Sequence, residues 1–128
     1  MLLDTHALVW AVAEPKRLSR PAAAAIRRAR RQDGLAIAAI TLWELAYLIS
    51  TGRIRSYGTL ESCLRQFIEG VTIIPLTAEI AALAAQFPDD YPRDPADRFI
   101  GATARAEGLA LVTRDENLRR CIPLKTVW

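Results

Sequence analysis

Short apolar runs alternate along the chain with longer segments in which apolar residues recur at helical spacing. The short runs are typical of strands buried on both faces, and they cover residues 2–3, 35–38, 71–76, 110–113 and 126–128. The longer segments predict helices and cover residues 21–31, 42–50, 60–69, 78–87, 95–107 and 116–120. The pattern predicts an α/β fold, a three-layer α/β/α sandwich with a central parallel sheet of four to five strands.

Helix-capping residues and prolines support these boundaries. Ser19, Thr77 and Asp94 each precede a predicted helix, where a side-chain oxygen can accept a hydrogen bond from a backbone N–H. Residues 87–95 contain three prolines and cannot continue a regular element for long. We interpret them as a surface loop that leads into the following helix.

Length and composition favour a single domain over residues 1–128. The chain is 52% hydrophobic and 24% charged, and it contains no repeat of fixed period. Cys63 and Cys121 are far apart and have no histidine nearby, which favours buried thiols over a disulfide or a zinc site. No signal peptide or membrane-spanning segment is recognisable, so we expect a cytoplasmic protein.

The charge of the chain bears on its partners only modestly. There are 15 Arg and 2 Lys against 14 acids, and the net charge is +3. Arginine suits phosphate recognition because its planar fork matches phosphate oxygens. The densest group, Arg27, Arg28, Arg30 and Arg31, could contact a phosphate backbone, but it could equally be a solvated helix face with cations near the helix C-terminus.

Four acidic residues fall directly after predicted strands or near the starts of predicted helices. Asp4 directly follows the first strand, Glu44 lies in the first turn of the helix after the second, Asp97 opens the helix after the proline-rich loop, and Asp115 follows the strand at 110–113. The carboxyl ends of parallel strands share one edge of a sheet, so these side chains can converge there.

Converging carboxylates are suited to a hard divalent cation. Mg²⁺ is usually held by a few carboxylates and several waters, without histidine or cysteine. A cation bound at such a site acidifies its water and offsets charge on a neighbouring phosphate. The acids therefore indicate metal-assisted phosphodiester hydrolysis.

Each acid also has a structural interpretation. Asp94 and Asp97 fit a helix N-terminus, and Thr41 to Glu44 and Thr113 to Glu116 have capping-box spacing. Asp4 is harder to explain in this way, because it lies between apolar residues and its burial is costly unless it is paired or binds a metal.

Histidine and the aromatic residues are less informative. His6 could act as a general base, but a lone histidine near a helix start is more often a packing or hydrogen-bonding residue. Trp10, Trp43 and Tyr47 could form an exposed patch suited to a two-fold interface, although we favour core packing for Trp43.

Four segments of the chain resemble the PIN-domain family, and within it the VapC-type toxins of bacterial toxin-antitoxin pairs. They are LLDTHALVW at 2–10, AITLWELAYL at 39–48, RDPADRFIGATA at 93–104 and LVTRDENL at 111–118. Each motif is weak alone, but four in this order are specific. The sequence departs from the family in its short first strand and in Gly101, where a larger residue is usual.

The resemblance implies both the site and the activity. It implies that Asp4, Glu44, Asp97 and Asp115 are the metal-binding and catalytic acids, and that four further residues line or orient the site: Asp94, Thr5, Thr41 and Thr113. It also implies an endoribonuclease that depends on Mg²⁺ or Mn²⁺ and acts on RNA, with tRNA or rRNA as the suggested target. A homodimer and inhibition by a cognate antitoxin protein are implied as well.

Three alternatives remain open. The first is a housekeeping RNA-processing nuclease of the same fold. The second is a phosphoaspartyl hydrolase or receiver-like domain that uses Asp4 as a nucleophile, although such proteins usually need a second acid beside that residue and a lysine after a late strand. The third is a module that binds RNA or an antitoxin without cutting.

Overall fold

The computed structural model describes residues 1–120 and 124–128. Its elements in chain order are β1 (Leu2–Leu3), α1 (Thr5–Ala13), a 3₁₀ turn (Pro15–Arg17), α2 (Arg20–Arg31), β2 (Leu35–Ala38), α3 (Ile40–Ser50), α4 (Leu60–Phe67), β3 (Val71–Ile74), α5 (Ala78–Gln86), α6 (Pro95–Ala106), β4 (Leu111–Val112), α7 (Glu116–Arg120) and β5 (Thr126–Val127). The prediction of a buried thiol at Cys121 lies outside the described residues. Cys63 is buried, as predicted.

The five described strands form one parallel sheet in the order β3-β2-β1-β4-β5. The first strand along the chain therefore occupies the centre of the sheet. The prediction of a parallel sheet with four to five strands is confirmed. Most strands are a residue or two shorter than predicted, and β3 ends at Ile74, just before Pro75, which has no N–H to donate.

Successive residues of each strand face opposite sides of the sheet, and each side has its own hydrophobic core. Leu3, Ile37 and Val112 belong to one core together with residues of α1 to α4. Leu2 and Leu111 belong to the other, together with residues of α5 to α7. Helices thus cover both faces, and the predicted three-layer sandwich is confirmed.

Helix α1 was not predicted. Thr5 and the stretch from Ala7 to Trp10 are buried, and His6 is exposed. A short helix that is apolar around most of its circumference shows little periodicity. Its start is set by Asp4, whose carboxylate accepts a hydrogen bond from the backbone N–H of Ala7 at 2.6 Å.

Two predictions about the aromatic residues are wrong. Trp10 is 5% exposed and belongs to the core, whereas Trp43 is 63% exposed. Trp43 stacks on Tyr47, which is 50% exposed, with ring centroids 5.4 Å apart and ring planes 8° apart. An exposed aromatic pair therefore lies on α3, and Trp10 has no part in it.

Candidate active site

The ends of β1 and β4 bring Asp4 and Asp115 to the same edge of the sheet. The two strands are neighbours, and the backbone N–H of Asp4 donates to the carbonyl of Val112 at 3.1 Å. The hydroxyl of Thr113 is hydrogen-bonded to the Asp4 carboxylate and also accepts from the backbone N–H of Asp115 at 3.0 Å. Thr113 therefore links the two acids.

The start of α6 contributes a second pair of acids. The carboxylate of Asp94 caps the helix by accepting from the N–H groups of Ala96 at 2.8 Å and Asp97 at 3.2 Å. The predicted capping role of Asp94 is confirmed, and it leaves the side chain of Asp97 available in the first turn. Phe87 to Asp94 lie in the predicted connecting loop.

Helix α3 supplies Glu44, although not from the predicted first turn. The helix begins at Ile40, so Glu44 lies one turn further along. The hydroxyl of Thr5 donates to Glu44 Oε1 and lies 3.2 Å from the hydroxyl of Thr41. Thr5 thereby fixes the glutamate that α3 brings to the edge of α1.

Two predicted capping boxes are wrong. Thr41 lies inside α3, and no side chain caps that helix at its N-terminus. At α7 the capping side chain is that of Asp115, which accepts from the N–H groups of Asn117 at 2.7 Å and Leu118 at 3.3 Å. Thr113 instead contacts Asp4 and Asp115, and Thr41 contacts Thr5, which holds Glu44.

One cleft of about 590 Å³ gathers all four predicted acids. Its lining residues are Asp4, Thr5, His6, Trp10, Arg17, Glu44, Asp94, Asp97, Ile100, Arg114, Asp115 and Leu118. Thr41 is fully buried behind Thr5. The structure thus brings together residues from five separate segments, as the argument from a shared sheet edge predicted.

Sequence reasoning missed Trp10, Arg17 and Arg114 as part of the cleft. Placing Trp10 there depended on α1, and placing Arg17 depended on the 3₁₀ turn after it. Arg114 had a local signal, because it directly precedes Asp115. By contrast, the predicted arginine run lies elsewhere, since Arg27, Arg28 and Arg31 line a separate hollow on α2.

Burial and mutual repulsion disfavour ionisation of the acids in the cleft. Burial, together with repulsion from neighbouring carboxylates, chiefly those of Asp94 and Asp115, raises the pKa of Asp97 to about 7. Burial also raises the pKa of Asp4, against opposing hydrogen bonds from Thr113 and Ala7. The pKa of Glu44 is raised by burial too, against the hydrogen bond from Thr5.

Within the described residues, no ion pair joins a basic side chain to one of these acids. The ion pairs in the described part of the chain join Arg17 to Glu14, Arg65 to Glu61 and Arg120 to Glu116, and none includes an acid of the cleft. Partly buried carboxylates without a counter-charge are costly. A cation would relieve that cost, and oxygen donors of this kind suit a hard divalent ion.

The acids do not form a ready-made chelate. Across residues 1–120 and 124–128, no group of three or more His, Cys, Asp or Glu side chains is placed so that it could hold an ion. This arrangement is compatible with Mg²⁺, which commonly keeps several of its waters and takes only one or two carboxylates directly. The donor set therefore fits an ion held partly through water.

The phosphoaspartyl alternative lacks its basic partner. Lys16 and Lys125 are both exposed, and neither lines the cleft that contains Asp4. The cations at the cleft are instead Arg17 and Arg114, which cannot lose a proton.

A parallel α/β sandwich with an acidic cleft at the carboxyl edge of its sheet defines the general class of this protein. Within that class the chain belongs to the PIN domain family, whose sequence model matches residues 1–121. The resemblance noted from four short motifs is thereby confirmed over nearly the whole chain.

A ribonuclease of known name is similar to the chain over most of its length. The chain is 45% identical over 119 residues to Ribonuclease VapC22 of Mycobacterium tuberculosis (strain ATCC 25618 / H37Rv), which covers 93% of this chain and 89% of that protein.

Two solved structures have the same fold. One is VapBC2 from Rickettsia felis bound to a promoter DNA fragment, with a TM-score of 0.75, 21% identity, and coverage of 98% of this chain and 95% of that one. The other is a toxin-antitoxin complex from Klebsiella pneumoniae, with a TM-score of 0.67, 24% identity, and coverage of 95% and 92%.

None of the helices in the described ranges combines the length and the apolar character needed to cross a bilayer.

Proposed function

We propose that this chain is an endoribonuclease that depends on Mg²⁺ or Mn²⁺ and serves as the toxin of a type II toxin-antitoxin pair. The observation that carries the proposal is the set of four carboxylates that share one cleft and make no ion pair with any described residue. The similarity to Ribonuclease VapC22 over 93% of the chain supports RNA as the substrate.

The carboxylates of the cleft would divide the work. Asp4, Asp97 and Asp115 would hold the metal directly or through water, and Glu44 would complete the ligand set or orient the attacking water. Once bound, the ion would acidify a water and offset the charge that develops on the phosphate. Thr113 and Thr5 would keep Asp4 and Glu44 in position.

Partners follow from the relatives and from one surface. A toxin-antitoxin complex among the structures of the same fold supports a cognate antitoxin as partner. The exposed stack of Trp43 and Tyr47 supports a homodimer, because it leaves apolar area uncovered. A tRNA or rRNA target and a cytoplasmic location complete the proposal.

A cleavage assay on total RNA tests substrate, cofactor and site together. The purified protein should cut RNA with Mg²⁺ or Mn²⁺ and should stop cutting in EDTA. Asp97→Asn should lose cleavage. The matched control Asp33→Asn, which changes an exposed acid outside the cleft, should keep it.

The opposite results would refute the proposal. Cleavage that persists in EDTA would reject the role of the metal, and full activity of Asp97→Asn would reject the site. If the chain cuts RNA but lies beside no antitoxin reading frame in its genome, the housekeeping role replaces the toxin role.

A further inference from the structure

Two arginines flank the ring of Trp10 at the wall of the cleft. The guanidinium carbon of Arg17 lies 4.7 Å from the centroid of the Trp10 ring, and that of Arg114 lies 6.0 Å away. These are distances at which a guanidinium is attracted to the face of an indole. All three residues line the cleft that contains the acids.

The two arginines come from unrelated parts of the chain. Arg17 ends the 3₁₀ turn that follows α1, and Arg114 lies in the loop between β4 and α7, directly before Asp115. Trp10 is 95% buried in α1 and also packs against Trp128, with ring centroids 5.4 Å apart. The buried Trp10 ring thus lies within reach of both cationic side chains.

Both cations remain able to bind an anion. Arg17 makes one long ion-pair contact of 3.5 Å with Glu14, and both of those side chains are 51% exposed, so the pair is weak. The ion pairs of the described residues do not include Arg114. A guanidinium attracted to the ring can still offer its N–H groups to a phosphate, whose oxygens match its planar fork.

An acidic cleft needs basic residues along its side if it is to bind RNA. Its carboxylates repel every phosphate of the strand, and a bound cation offsets only the charge near the scissile bond. The phosphates on either side still require basic partners. Arg17 and Arg114 are arginines that line this cleft.

We propose that Arg17 and Arg114, held against Trp10, form a phosphate-binding wall that grips the RNA backbone beside the scissile bond. The proposal rests on the proposed function, because it names how the same cleft holds its substrate. Phosphate contacts position a strand without reading its bases. The wall therefore contributes affinity to all RNA sequences about equally.

The test is the salt dependence of RNA binding. Fluorescence anisotropy would follow a labelled single-stranded RNA of about 20 nucleotides and mixed sequence, with Ca²⁺ present and a gel to show that the RNA stays intact. Each lost phosphate contact on a single strand lowers the slope of log Kd against log salt by about 0.7. Arg17→Ala with Arg114→Ala should lower it by about 1.4.

The chain offers a control of matched charge. Arg27→Ala with Arg31→Ala removes the same charge from the exposed face of α2, outside the cleft. This variant should keep the wild-type slope. A purely structural role for the two cleft arginines would lower the melting temperature and leave the slope unchanged.

Failure of the wall and failure of the proposed function can be told apart. Three outcomes would contradict the phosphate-binding wall. They are a wild-type salt slope in the Arg17→Ala, Arg114→Ala variant, an equal loss of slope in the α2 control, and no RNA binding by the wild-type protein. The wild-type protein could instead bind RNA through the two arginines but fail to cut total RNA. That result would support the phosphate-binding wall and contradict the proposed endoribonuclease activity. Loss of binding to a glutamate-rich peptide alone, with RNA binding unchanged, would overturn the wall in favour of a protein partner.

Discussion

The two most strongly charged regions of the molecule differ in how far their side chains are exposed to water. Arg27, Arg28, Arg30 and Arg31 of α2 are exposed and lie toward the end of the helix, where its dipole favours cations. The acids of the cleft are partly buried, lie close to one another and have raised pKa values at three positions. Charged side chains that are exposed to water say little about function, whereas charged side chains that are buried at a cost in free energy indicate a functional site.

The cleft limits that cost by using some of its acids to build the fold. Asp4, Asp94 and Asp115 each accept hydrogen bonds from backbone N–H groups at the start of a helix. Such bonds and the helix dipole both stabilise a carboxylate. Asp97 caps nothing, and its pKa rises to about 7. The comparison of these two kinds of acid can be tested directly.

The largest expected effect is the loss of RNA cleavage when Asp4 is changed, because Asp4 caps α1 and is also assigned to the metal. Asparagine caps helices about as well as aspartate, so Asp4→Asn should fold normally. It should nevertheless lose more than about 100-fold in RNA cleavage, because residues that only support a ligand already cost about 10- to 100-fold. Asp94→Asn should lose about tenfold. Equal losses for Asp4→Asn and Asp94→Asn in a cleavage time course would contradict the assignment of Asp4 to the metal and of Asp94 to a supporting role.

The next effect is on stability, and its sign follows from Asp97. The pKa of Asp97 is raised from 3.8 to about 7, so between these values the folded protein binds more protons than the unfolded chain. Stability of the metal-free protein should therefore fall as pH rises from about 4 to 7. Thermal melts in EDTA should show this loss, and Asp97→Asn should reduce it.

Divalent cation should reverse that loss above neutral pH. Mg²⁺ at about 100 times its Kd would add about 2.7 kcal/mol at pH 8. The effect should be smaller at pH 5, where protons compete with the ion for the acids. A melting temperature that does not respond to Mg²⁺ at pH 8 would contradict the inference that the carboxylates of the cleft repel one another until a cation binds.

A smaller effect concerns the packing that positions α6. A Cβ at Gly101 would lie 1.7 Å from Tyr91 Oη, in a helix whose Asp97 carbonyl accepts a hydrogen bond from the same hydroxyl at 3.3 Å. Gly101→Ala should cost about 1–3 kcal/mol by overpacking. Adding Tyr91→Phe removes the clashing oxygen and should recover part of that loss in urea unfolding. No loss from Gly101→Ala alone would contradict the packing.

The smallest effect should come from α2. Arg28→Ala with Arg30→Ala removes two exposed cations that do not line the cleft and should change RNA cleavage by less than about twofold at 0.15 M salt, where the Debye length is about 8 Å. A tenfold loss would show that solvated charge on α2 also contributes to substrate binding.

Much of the fold and of the acid cluster could be predicted because both depend on local patterns. Apolar runs marked all five described strands, and an acid directly after a buried strand marked Asp4. The convergence of Asp4 and Asp115 then followed from parallel topology alone. Asp97 was placed by the proline and cap that begin its helix.

What could not be predicted depended on tertiary context. Helix α1 is too uniformly apolar to show a period, and without it neither Trp10 nor Arg17 could be placed at the cleft. The exposure of Trp43 was also hidden, because its spacing matches a core position as well as a surface one. Gly101 was noted as unusually small, but only the position of Tyr91 explains its size.

The central position of β1 has a consequence for how the protein is made. Asp4 directly follows β1, yet its neighbours across the cleft lie on α6 and beyond β4, a strand that pairs with β1 but comes about a hundred residues later in the chain. Such distant pairings are slow to form. A ribosome in the act of synthesising this protein therefore carries no completed acid cluster until the last strands emerge.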